Sequence, residues 1–141
     1  INSLYMSDQE FENYATLDIS LINLYKGECS FLKNGAVGTY ILTQGKMYCI
    51  EGQSLPMGVI GEAEPYVGKM RIYPGDYIIM MTDGVADMFS DEKYNLEKYI
   101  RQIDAVNPGD IAQSIVDEAV RRSSGYISDD MSVIVAGVWE N

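Results

Sequence analysis

Two aspartates stand where carboxylates could do chemistry: Asp83 in Met81-Thr82-Asp83-Gly84-Val85, and Asp129 in Ser128-Asp129-Asp130-Met131-Ser132. Each adjoins a short apolar run. Tyr77-Ile78-Ile79-Met80-Met81 leads into the first, and Met131 to Val138 leads away from the second. A carboxylate at the end of a buried strand is held on a rigid support at the rim of a core. Oxygen ligands fixed in that way bind hard cations such as magnesium or manganese. Gly84 lets the backbone turn sharply beside its carboxylate, and two rims of this kind could converge. Each also fits a plainer description when taken alone, the first as an Asp-Gly turn after a core strand, the second as a solvated acidic loop. Two aspartates are in any case too few for a pair of metals about 3.5–4 Å apart, which needs more bridging ligand. At least one further carboxylate is required.

The chain has no His. Within it, Ser-His-Asp and Cys-His nucleophile systems and imidazole zinc sites are therefore excluded, and an enzyme built here works with carboxylates, metals and water. A length of 141 residues suits one domain with a proper core. Hydrophobic content of 47% against 22% charged is that of a soluble globular protein. With 21 acids, ten Lys and Arg and a net charge of −11, no basic patch can form, which argues against nucleic acid as a partner. No apolar stretch approaches the roughly 18 residues that span a bilayer. Cys29 and Cys49 lack metal-ligand spacing and are expected to be reduced core thiols of a cytosolic protein. Ile1 to Met6 carries apolar residues at helical spacing without a cap. It reads as the tail of a helix that begins upstream, so the chain is expected to be a piece of something larger.

Thr16 to Leu21 alternates, with Leu17, Ile19 and Leu21 predicted on the buried side against Thr16, Asp18 and Ser20. Turns at Tyr25-Lys26-Gly27-Glu28, Asn34-Gly35 and Gln44-Gly45 separate this strand from three more, Cys29 to Lys33, one through Tyr40-Ile41-Leu42, and Met47 to Ile50. The short loops predict an antiparallel meander. Gly52 to Glu64 reads as loop, followed by strands at Val67 to Ile72 and, after the turn signal Pro74-Gly75-Asp76, at Tyr77 to Met81, buried on both faces.

Lys93 to Ile103 is weakly helical. Asn107-Pro108-Gly109-Asp110 is a strong helix start, and Ile111, Ala112, Ile115, Val116, Ala119 and Val120 continue it as one apolar stripe. Arg121 and Arg122 suit the negative C-terminal end of that helix, which Gly125 can stop. The last strand runs to Val138 as a central strand, with Trp139 at the core edge. Strands, two helices and a final strand make an α+β layered domain with antiparallel sheet.

With both rims and the meander in view, the chain resembles the C-terminal part of the PP2C-like (PPM) family of metal-dependent Ser/Thr protein phosphatases, and within it the phosphatase domain of the stage II sporulation protein E family. The resemblance covers residues 1–141. It rests on Ala15-Thr16-Leu17-Asp18-Ile19, Phe31-Leu32-Lys33-Asn34-Gly35-Ala36, Ser54-Leu55-Pro56-Met57-Gly58, Met81-Thr82-Asp83-Gly84-Val85, and Ser124-Gly125 followed by Asp129-Asp130-Met131-Ser132-Val133.

The resemblance implies an antiparallel β-sandwich flanked by helices, with a dinuclear Mn2+ or Mg2+ centre at one end. It makes Asp83 and Asp129 metal-ligating catalytic residues, lends the backbone of Gly84 to the metal site, and sets Asp130 beside it as support. The metals of such a centre activate water for in-line attack on phosphorus. The implied partner is a phosphoserine anti-anti-sigma protein, dephosphorylated during sporulation, and the implied place is the cytoplasm, with a membrane-anchored parent. The family's further Asp-Gly motif on N-terminal strands has no counterpart in this chain. The piece is therefore expected to bind metal weakly and to be inactive alone, with exposed sheet edges open to dimer formation. A related stress-response, sigma-regulating phosphatase and a non-catalytic interaction module are the alternatives.

Overall fold

The computed structural model describes residues 15–52, 64–90 and 95–140. They fall in two compact units, residues 15–36 with 50–52 and 64–72, and residues 37–49 with 73–90 and 95–140. Seven strands are described: β1 (Leu17–Asn23), β2 (Glu28–Asn34), β3 (Thr39–Thr43), β4 (Lys46–Ile50), β5 (Tyr66–Arg71), β6 (Tyr77–Met81) and β7 (Val133–Gly137). Between the last two lie a short helix α1 (Asp83–Ala86), a 3-10 turn (Asp87–Phe89), and the helices α2 (Leu96–Ile100) and α3 (Pro108–Arg122). The expectations for Ile1 to Met6 and for Ser54-Leu55-Pro56-Met57-Gly58 lie outside the described residues.

The strands form two antiparallel sheets, and the four-strand meander does not hold. β2 turns away at Asn34-Gly35, where Gly35 takes a left-handed φ of 64°, and β3 begins a different sheet. The orders are β1-β2-β5 and β4-β3-β6-β7. Short connections make neighbour pairing the simplest reading, but β2 pairs with β5 and β3 with β6, strands further along the chain.

In the first unit the predicted faces of β1 are inverted. Asp18, Ser20 and Ile22 stand opposite Lys33, Phe31 and Cys29 of β2, three residues that are at most 1% exposed. Ile19 and Leu21, expected inside, are 44% and 67% exposed. An ion pair makes the polar side of β1 the inner one. The Lys33 ammonium, itself fully buried, lies 2.5 Å from the Asp18 carboxylate directly across the ladder. A buried charge is tolerated when a partner offsets its lost hydration. Hydrophobic alternation reports which residues share a face, and here a paired charge decides which face is covered.

The second unit carries the main core. β3 pairs with β6 (Tyr40 opposite Ile79) and β6 with β7 (Met81 opposite Val133), so β6 is central, as its unbroken apolar run predicts. β7 is the terminal strand of the described sheet, not a central one, and its Ile134 is 66% exposed. A wholly apolar run cannot by itself tell an edge from a centre. β4 ends the other side of the order. Cys49 is exposed there, against expectation, while Cys29 is buried; neither is in a disulfide.

On one face of the sheet, Ile79 packs with Val85, Phe89, Leu96, Ile100, Ile111, Ile115 and Ala119. The cap of α3 forms as predicted, with Asn107 Oδ1 accepting from Gly109 N–H at 2.8 Å and Pro108 in the first turn. Its buried stripe narrows to Ile111, Ile115 and Ala119. The helix ends at Arg122, followed by left-handed Ser124 and Gly125 (φ 54° and 86°). Trp139, 56% exposed, meets Tyr77 edge-on at 6.1 Å.

The turn before β6 is fixed by Asp76, 2% exposed, whose Oδ2 accepts from Tyr73 N–H at 2.7 Å. Gly75 N–H donates to Val138 O at 2.7 Å and Val138 N–H to Asp76 O at 2.9 Å. These bonds carry the β6–β7 ladder beyond its named ends and lock the register that sets the aspartates.

Candidate metal centre

Register explains why the two rims meet. Because Met81 lies opposite Val133, the residues that leave β6 and those that enter β7 emerge at the same end of the sheet. Asp83 is the first residue of α1, directly after β6. Asp129 and Asp130 stand just before β7. All three are exposed, whereas Gly84 and Val85 are buried, so the carboxylates sit on a rim above packed residues.

Gly84 is where the two segments touch. A Cβ placed on it would lie 2.6 Å from Asp130 O and 3.2 Å from Asp129 Cβ. Ordinary van der Waals contact leaves no room for that methyl. An Asp-Gly pair suggests a sharp turn at Gly84. The structure gives a different reason, since its φ is not left-handed and what it provides is close approach of the Asp129–Asp130 backbone. Asp83 Oδ1 accepts from Gly84 N–H at 3.0 Å, and Asp129 Oδ1 accepts from Asp130 N–H at 2.7 Å. Each carboxylate is thus oriented by the backbone of its own following residue.

Thr82 fastens the segments together, a role the sequence reading missed. It is the N-cap of α1, yet its side chain makes no capping bond. Its Oγ1 instead donates to Asp130 O at 2.8 Å and accepts from Ser132 N–H at 3.0 Å. Its backbone N–H donates to Ser132 O at 3.0 Å. A hydroxyl-bearing residue between a strand and an Asp-Gly was the available signal, though an ordinary cap would have looked the same.

The donor set suits a hard cation. Exposed, backbone-oriented carboxylates present the oxygen ligands that magnesium and manganese prefer, and such ions retain several waters. Among the described residues, no group of three or more His, Cys, Asp or Glu gathers to hold a metal. Asp83 and Asp129 fit as two ligands of a hard divalent ion and do not by themselves make a dinuclear centre.

The chain aligns with a phosphatase domain of Bacillus subtilis SpoIIE, studied after presoaking with Mn, at 32% identity and a TM-score of 0.79, covering 100% of this chain and 63% of that one. A second structure, of the PP2C phosphatase domain with a fragment of the regulatory domain of the same protein, aligns at 30% identity with a TM-score of 0.87 over 99% of this chain and 43% of that one. The fold is therefore that of PP2C-type phosphatase domains.

The sequence profile of the family Stage II sporulation protein E (SpoIIE) matches residues 1–139, and the chain belongs to that family. A curated relative, the stage II sporulation protein E of Priestia megaterium, is 34% identical over 144 residues. The chain spans 17% and 25% of the length of the curated relatives it matches.

Proposed function

We propose that this chain supplies one side of a metal-dependent protein serine/threonine phosphatase site, with Asp83 and Asp129 as metal ligands, Gly84 giving the backbone its close approach, and Asp130 and Thr82 holding the ligands in place. One observation carries the reading. Two aspartates separated by 46 positions in sequence (129 − 83) are brought to a common rim by the β6–β7 register, across a glycine that a methyl could not replace. Two unrelated surface turns would not need that contact.

The chain's own residues bind and orient. The backbone bonds to Asp83 Oδ1 and Asp129 Oδ1 fix the carboxylate planes, and the Thr82 hydroxyl holds the spacing between their loops. Mn2+ or Mg2+ held there would supply positive charge to activate water and offset charge on the phosphoryl oxygens. With no His in the chain, proton handling on this side of the site falls to carboxylates and solvent. The remaining ligands come from outside the described residues, and in this reading the chain on its own binds metal weakly and is inactive.

The substrate in this reading is a phosphoserine anti-anti-sigma protein met in the cytoplasm. Among the described residues no helix is long and apolar enough to cross a membrane. The test is manganese-dependent phosphate release from a phosphoserine protein by the full-length protein. Asp83→Asn and Asp129→Asn should each abolish release. Unchanged release in both variants would remove these residues from the site, and no release under any metal would leave a binding module.

A further inference from the structure

We infer that Arg122 is a positioning residue for Asp83, acting through the turn that follows α1; this rests on the reading of Asp83 as a metal ligand. A helix C-terminus attracts cations in general, and that explanation applies equally to Arg121 and Arg122. The structure separates them. Both bind Glu118, Arg121 at 2.6 Å and Arg122 at 2.7 Å, but the Arg121 side chain is 72% exposed and that of Arg122 only 16%. Arg122 turns back into the unit. Its Nη1 donates to Met88 O at 3.2 Å, and its guanidinium carbon lies 4.2 Å from the centroid of the Phe89 ring.

Met88 and Phe89 belong to the 3-10 turn that continues α1 without a break. Asp87 N–H still donates to Asp83 O, so Asp83 to Phe89 behaves as one short stiff piece. Thr82 secures the end that carries the carboxylate. Arg122 secures the other, with Phe89, 4% exposed, wedged between the guanidinium and Tyr99, whose ring centroid is 5.7 Å away. A four-residue helix has almost no stability of its own, so its aim depends on those two anchors. The Arg122 guanidinium donates from Nε to the Glu118 carboxylate, donates from Nη1 to the Met88 carbonyl, and stacks its face on a ring. A lysine ammonium cannot do all three. Glu118 holds the fork in the orientation that makes the stack possible.

The experiment measures Mn2+ affinity of the full-length protein by electron paramagnetic resonance, together with amide exchange at Val85 and Ala86, whose N–H groups donate to Thr82 O at 3.1 Å. The variants are Arg122→Lys, Arg121→Gln and Asp83→Asn. Arg122→Lys keeps the charge and should weaken Mn2+ binding about tenfold, the scale seen when a group behind a ligand is lost, while accelerating exchange at both amides. Arg121→Gln should change neither. A dissociation constant for Arg122→Lys within about twofold of wild type, with Asp83→Asn losing binding, would overturn the positioning role and leave the metal site standing. Full binding by Asp83→Asn would overturn the metal-ligand reading and this inference with it. Thermal unfolding of each variant separates a folding defect from both, because a merely destabilised protein at a temperature below its transition keeps its metal affinity.

Discussion

Gly84→Ala sets two effects of known sign against each other. Gly84 lies in a helix at an ordinary φ, so helix propensity alone favours alanine by about 1 kcal/mol. The added methyl, however, would sit 2.6 Å from Asp130 O and 3.2 Å from Asp129 Cβ. The oxygen is backbone, held by the Thr82 hydroxyl at 2.8 Å, and cannot swing aside as a side chain would. Forcing a methylene into a packed contact costs about 1–3 kcal/mol. The steric cost is therefore expected to cancel or exceed the propensity gain, for a net loss of up to about 2 kcal/mol. The displacement falls on the Asp129–Asp130 segment, so Mn2+ affinity should drop about tenfold or more, as for other misplaced ligands. Urea denaturation and a manganese titration read the two quantities. A variant about 1 kcal/mol more stable than wild type, with unchanged affinity, would show that the segments do not meet at Gly84 and would refute the convergence of the two rims.

Two further predictions concern groups away from the rim. The Arg121 hydrogen bond, with that from Arg122 adding to it against an opposing effect of burial, holds the Glu118 carboxyl at about 2 instead of 4.5. A depressed carboxylate contributes stability that is complete above its unfolded pKa and is lost as pH falls through the folded one. Wild type should therefore lose stability between pH 4.5 and 2 more steeply than Glu118→Gln, and parallel acid profiles from urea midpoints would contradict the pairing. Burial pushes the Cys29 thiol up to about 11, while Cys49 is exposed. Iodoacetamide at neutral pH should modify Cys49 alone, and both thiols in urea, as counted by mass spectrometry; equal native rates would show that Cys29 is not shielded.

The features read best from sequence were those in which one local signal suffices. The apolar run of β6 ending in Thr82-Asp83-Gly84, the Asn107-Pro108 start of α3, and the turn at Pro74-Gly75-Asp76 all stand where expected. What escaped depends on partners distant in sequence. The pairing of β2 with β5 and of β3 with β6 is invisible in loops that look like hairpin turns. The inward face of β1 is chosen by Lys33 across the ladder, and nothing in alternation reveals it. Thr82 and Arg122 presented as a helix cap and a helix-end charge, and only the fold shows that each reaches a second segment. The aspartates themselves were legible as rims, but their meeting required the register of Met81 with Val133.

In the proposed function Asp83 and Asp129 serve one metal-dependent site. This is tested most directly by phosphate release from a phosphoserine protein against manganese concentration, for the full-length protein, Asp83→Asn, Asp129→Asn and the double variant. Residues acting as a unit are strongly non-additive, so each single substitution should abolish release and the double should cost no more than the worse single. Independent, additive losses, or full activity in either single variant, would contradict a shared site.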